Sequence, residues 1–130
     1  MRVLLDTNVA IWLAADPTVL RFEVVELLRD DGTDLVLSAV VGWEAAITWR
    51  SGKLKLPEHP RTWIARLAGE FGTRALPVTE THVVEVADLP DHHGDPFDRL
   101  LIAQARVENI PIVTADRSFG RYDVEVITAR

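Results

Sequence analysis

No cysteine occurs in the 130 residues, which excludes disulfides and thiolate metal sites. Any bound ion must therefore be held by oxygen or nitrogen, and a reducing cytoplasm is the compartment expected. No apolar run approaches the ~20 residues that span a bilayer. The start, Met1-Arg2-Val3-Leu4-Leu5-Asp6, meets an acid too early for a secretory leader. Positive charge is scarce as well: 14 Lys and Arg stand against 20 Asp and Glu, a net charge of −6. That balance argues against a broad basic footprint for duplex DNA. A nucleic-acid enzyme remains compatible with it if the acids of its own site supply much of the negative charge. Repeats, low-complexity tracts and linkers are also missing, so residues 1–130 are expected to form one domain.

What is present is an alternation of short apolar runs with longer stretches of helical period, the signature of an α/β protein with a parallel sheet. Strands are expected at Val3–Leu5, Leu35–Leu37, Ala75–Leu76, Ile112–Val113 and Val124–Ile127. Helices are expected at Val9 to Ala15, before Pro17, and at Val19 to Arg29. A third runs from a Ser38 cap to Arg50, with Gly52 as its stop. A fourth runs from Pro60 to Phe71 and ends at Gly72. A fifth is capped by Thr79 and reaches about Ala87. A sixth opens at Pro96, where proline suits the first turn, and reaches Glu108.

Four acids stand out against this framework. Asp6 and Asp116 each follow an apolar strand, which places them at strand carboxyl ends, where open parallel sheets bind ligands. Singly, each reads more readily as a turn residue or a helix cap. Glu44 lies four residues after Val40 and three before Ile47, on the apolar stripe of its helix. Asp98 precedes Leu101, Ile102 and Ala105 at the same kind of spacing. A carboxylate facing a core is costly unless it is paired or binds a metal. The ordinary alternatives are an ion pair with Arg50 for Glu44, and a helix-start acid for Asp98. Two like charges 4 Å apart cost ~4 kcal/mol at an effective dielectric of 20, a penalty that a divalent cation removes. Hard oxygen ligands without thiolate point to Mg²⁺, with Mn²⁺ as a substitute.

The sequence resembles the PIN-domain proteins, and within them the VapC-type toxin ribonucleases of bacterial toxin–antitoxin pairs. The residues that carry the likeness are Leu5-Asp6-Thr7-Asn8, Trp43-Glu44-Ala45-Ala46-Ile47, Gly52-Lys53-Leu54-Lys55-Leu56-Pro57, the run from Asp95 to Ala105, and Thr114-Ala115-Asp116. Thr48 departs from the family pattern, where Lys is usual. The resemblance implies a three-layer α/β/α sandwich around a mostly parallel five-stranded sheet. It implies catalytic and metal-binding roles for Asp6, Glu44, Asp98 and Asp116, with Thr7, Asn8 and Thr114 orienting those acids. It further implies Mg²⁺-dependent endoribonuclease activity, restraint by a cognate antitoxin protein, and a homodimer.

Candidate RNA contacts are Arg50, Lys53 and Lys55 after the Glu44 helix, and Arg99 beside Asp98, whose alternative is a solvated or ion-paired surface residue. Adjacent His92 and His93 point apart and carry little ligand signal. Asp95 reads as the cap of the helix that Pro96 opens. Among the tryptophans, Trp43 and Trp63 are expected in the core and Trp12 and Trp49 nearer the surface. A catalytically inactive PIN-like binding module is the alternative function, and the presence of all four acids weighs against it. A phospho-accepting receiver domain would want paired acids after the first strand and a lysine at a later strand end, whereas the only lysines are Lys53 and Lys55. An aspartate-nucleophile phosphatase would want an acid at position 8, which is Asn.

Overall fold

In the computed structural model, which describes residues 1–130, Val3, Leu4 and Leu5 are each 0% exposed. Successive strand residues face opposite sides, so both faces of this strand are covered, as a parallel sheet between helical layers requires. The strand is β1 (Arg2–Leu5). It is joined by β2 (Asp34–Ser38), β3 (Arg74–Leu76), β4 (Ile112–Thr114) and β5 (Val126–Thr128). The order across the sheet is β3-β2-β1-β4-β5, and every ladder is parallel. The result is an α/β/α sandwich. Strand order reverses between β1 and β4, where Leu4 pairs with Ile112 and Leu5 with Val113. In such sheets the crevice beyond the strand ends opens at this reversal.

The six helices are α1 (Thr7–Ala15), α2 (Phe22–Arg29), α3 (Ala39–Arg50), α4 (Pro60–Phe71), α5 (Glu80–Glu85) and α6 (Pro96–Glu108). Their ends follow local chemistry. Ser38 Oγ accepts the Val40 N–H at the start of α3. Asp95 Oδ1 accepts the Phe97 and Asp98 N–H groups at the start of α6. Each such cap satisfies amides that have no partner inside the helix. Gly72, at φ 66°, closes α4 in the left-handed conformation that glycine adopts without strain. One continuous core of 29 buried hydrophobic residues joins the sheet to the helices. At about 25 cal/mol per Å² of apolar area removed from water, such a cluster is the main stabilising contribution to the fold.

Three expected elements are redrawn. The helix anticipated from Val19 is a short 3-10 turn, Pro17–Val19, followed by extended Leu20, and α2 begins only at Phe22. The cause is tertiary: the Arg21 N–H donates to the Ala129 carbonyl at 2.9 Å, tying this segment to the chain's end. The fifth strand is Val126–Thr128, later than the apolar run suggests, because its register is set by pairing Ile112 with Val126. The fifth helix stops at Glu85 and continues as a 3-10 turn over Val86–Asp88. A further 3-10 turn, Arg117–Arg121, follows β4 and was not anticipated.

Candidate metal centre

The neighbouring strands β1 and β4 deliver Asp6 and the Thr114-Ala115-Asp116 segment to the same edge of the crevice. Asp6 is 7% exposed, and both its oxygens are engaged. Oδ1 accepts the Thr7 N–H at 2.7 Å, which makes Asp6 the cap of α1. Oδ2 accepts the Thr114 hydroxyl at 2.7 Å. The Thr114 oxygen in turn accepts the Asp116 N–H at 3.0 Å. Asp116 itself is exposed, and its Oδ1 accepts the Ser118 N–H at 2.9 Å. Asp6 and Asp116 are thus caps as well as members of the crevice.

Glu44 reaches the crevice from α3. Its Oε1 accepts the Thr7 hydroxyl at 2.6 Å, a contact spanning 37 positions in sequence. Asp98 enters from the first turn of α6. Burial raises the Asp98 carboxyl most, and repulsion from Asp6, Asp95, Glu44 and Asp116 raises it further, to about 8. Burial also raises Asp6, opposed by the Thr114 hydroxyl and Thr7 amide and reinforced by Asp116 and Asp95. Glu44 is raised by burial, against its bond from Thr7, and further by Asp6 and Asp95. No basic side chain stands among the groups that shift any of the three. The four acids therefore share one electrostatic environment, and that environment lacks a cation.

The donor set is all oxygen, with one buried and two half-buried carboxylates, which fits a hard divalent ion such as Mg²⁺ or Mn²⁺. The side chains do not close on one another as a finished cage: no three acidic or histidine groups stand as a ready ligand cluster. Mutual repulsion between carboxylates favours such an open arrangement.

Several expectations need correction. Arg99 does not face the acids. Its side chain is 13% exposed, and its guanidinium donates to the carbonyls of Pro90 at 2.8 Å and of Val86, Leu89 and His93 at 3.4–3.5 Å. It holds the loop before α6 in place, using a planar fork of donors that suits clustered carbonyls. Asn8 is exposed and bonds to none of the four acids, unlike Thr7 and Thr114. Ile47 is 46% exposed, so the stripe that flagged Glu44 is buried only through Val40, Val41 and Ala45. Trp43, expected in the core, is 51% exposed, whereas Trp63 is buried as expected. Trp12 and Trp49 are half-buried. Arg50, Lys53 and Lys55 are exposed as the sequence suggests. Asp95 is the cap anticipated, and in addition it is a fifth charge on the crevice, which nothing in its spacing signals.

Residues 3–125 match the PIN domain family. Ribonuclease VapC22 of Mycobacterium tuberculosis is 29% identical over 116 residues, spanning 88% of this chain and 87% of that protein. Among solved structures, VapBC2 from Rickettsia felis bound to a DNA fragment from their promoter superposes with a TM-score of 0.76 at 17% identity, covering 100% of both chains. FitAcB from Neisseria gonorrhoeae gives 0.64 at 23% identity, over 97% of this chain and 96% of that one. At those identities the structural likeness speaks to the fold. The family match runs through β1, α3, α6 and β4, the elements that carry or adjoin the four acids, and the chain belongs to the PIN domain family.

Proposed function

We propose that residues 1–130 form a single nuclease domain that hydrolyses RNA phosphodiester bonds internally, as the toxin of a toxin–antitoxin pair. The observation that carries this reading is the crevice at the β1–β4 reversal, where burial and neighbouring acids raise the Asp6, Glu44 and Asp98 carboxyls and no cation is among the groups that shift them. The 29% identity to Ribonuclease VapC22 supports RNA as the substrate. VapBC and FitAcB assemblies among the fold relatives support a protein antitoxin as partner. A homodimer and a cytoplasmic location complete the reading; no helix is long and apolar enough to cross a membrane.

Asp6, Glu44, Asp98 and Asp116 would hold Mg²⁺, or Mn²⁺ in its place. When bound, the cation supplies water activation and neutralisation of phosphate charge. The protein's part is preparation. Thr114 fixes one oxygen of Asp6 and Thr7 fixes one oxygen of Glu44, so two carboxylates are aimed before any ligand arrives. With its carboxyl raised to about 8, Asp98 would hold a proton at neutral pH and would release it if positive charge entered the crevice. No histidine or lysine is placed as a general base, and none is required.

The decisive experiment is incubation of the protein with mixed structured and single-stranded RNAs, with Mg²⁺ or with EDTA, beside Asp98→Ala. Cleavage by the wild type in Mg²⁺ only, lost in the variant, is expected. Cleavage that persists in EDTA would overturn the metal-dependent reading.

A further inference from the structure

The exposed indole of Trp43 sits where a core residue was expected. Its ring centroid lies 4.6 Å from that of Phe97, with the planes at 71°. Trp43 adjoins Glu44 on α3 and Phe97 adjoins Asp98 on α6, so the aromatic contact bridges these two helices next to the acids they carry. The edge contact holds one side of the indole while 51% of the residue stays open to solvent. Trp43, Ile47 and Arg50 recur at i, i+4 and i+7, a single face of α3, and all three are exposed. Lys53 and Lys55 follow beyond the helix end, also exposed, and none of the three cations takes part in an ion pair.

We infer that this face of α3 is the path of single-stranded RNA leaving the crevice, with Trp43 as the stacking platform for a base next to the scissile phosphate. The inference rests on the ribonuclease reading and deepens it. An aromatic ring held on one side presents a preformed surface, which every base can use because every base has a π-face. Arg50, Lys53 and Lys55 then meet the following phosphates. In a chain of net charge −6, uncompensated cations in line with a rim aromatic match a polyanion carrying planar bases. An acid-lined crevice flanked by such a stripe also explains how an acidic protein holds RNA: repulsion at the cleavage point is offset by attraction beside it. Trp43 acts here as a positioning residue for the substrate.

The test uses the full chain and fluorescein-labelled single-stranded oligoribonucleotides. Binding is read by anisotropy, and cleavage is read on the same oligomers, including a series with one abasic ribose stepped along the strand. Trp43→Ala should weaken binding and kcat/KM about tenfold, the scale of one base–aromatic stack, whereas Trp43→Phe retains most of both. In the wild type one abasic position should give a similar loss, and that loss should not add to the Trp43→Ala effect. Arg50→Ala combined with Lys53→Ala should flatten the salt dependence of binding by roughly 0.7 in log–log slope per contact removed. Unaltered RNA binding and cleavage by Trp43→Ala, with loss confined to binding of a protein partner, would overturn the proposal and assign the stripe to that partner. A wild type that neither binds nor cleaves any RNA would remove the ribonuclease reading with it, a result distinct from a wild type that cleaves while Trp43→Ala matches it.

Discussion

The Thr114 hydroxyl donates to Asp6 Oδ2 at 2.7 Å, joining residues 108 positions apart in sequence. The same oxygen accepts the Asp116 N–H at 3.0 Å. One buried threonine therefore aims the carboxylate at the end of β1 and sets the backbone of the acid that follows β4. The bond is possible because β1 and β4 are neighbours in the sheet, in a register that pairs Leu5 with Val113. A hydroxyl can do both tasks because it is donor and acceptor at once.

Thr114→Val keeps the shape of the side chain and removes both contacts. On the proposed metal-dependent reading, cleavage should fall about 10- to 100-fold, the usual loss when a group that orients a metal ligand is removed. Stability should fall by about 1–3 kcal/mol, because Asp6 Oδ2 and the Asp116 N–H lose their partners. Thr114→Ser should restore most of both. Kinetics across a Mg²⁺ titration, with thermal melts in parallel, check this.

Metal-free protein should become less stable as pH rises. The Asp98 carboxyl sits at about 8 in the folded chain, against an ordinary 3.8. The folded state thus holds a proton that the unfolded chain releases, and the sign of the linkage is fixed. The contribution is complete below about pH 4 and is lost as pH rises through about 8. Melting temperatures in EDTA from pH 5 to 9 should decline, and Asp98→Asn should flatten the decline. An equally steep slope in the variant would remove Asp98 as its source.

On the proposed ligand set, loading of Mg²⁺ should release protons near pH 7, since Asp98 would have to ionise to take part. Titration calorimetry in two buffers of different ionisation enthalpy measures the number released. Saturation should also raise stability, by about 2.7 kcal/mol at a free ion concentration a hundred times the Kd. Both effects should vanish in Asp98→Ala.

Arg99→Met tests the structural assignment of that guanidinium. Four carbonyls accept from it, so the melting temperature should drop, by an amount equivalent to about 2 kcal/mol or more. The affinity of the folded variant for RNA, and the salt slope of that affinity, should stay as in the wild type. A change of slope by about one would show a phosphate contact instead.

Much of the architecture is legible in the linear chain. Helices α4 and α6 run between the residues that their caps announce, with Pro60 and Pro96 in first position and Gly72 beyond the end of α4. The strand cores lie where β-rich apolar runs fall. Misjudged boundaries are those governed by distant partners, such as the Arg21 bond to Ala129 that delays α2. Asp6 and Asp116 could be placed at strand ends because strands end where apolar runs end. Glu44 lies beside Thr7, as its helix position suggests, but half of the Val40–Ile47 stripe that singles it out is exposed, at Ile47. Trp43 misled for a related reason: hydrophobicity alone does not say whether an aromatic on an α3 face meets the core or the rim of a crevice.

The sequence by itself determined the alternation of strands and helices, the positions of Asp6 and Asp116 at strand ends and the absence of thiolate ligands, because these follow from local propensity and side-chain chemistry. Tertiary structure decided which strands became neighbours, and with that the Thr114–Asp6 bond and the shared burial that lifts Asp98 to about 8. It also turned Arg99 inward and Trp43 outward. The division has a physical origin: caps and periodicity act over a few residues, whereas desolvation and charge repulsion depend on which distant groups the fold crowds into one low-dielectric space.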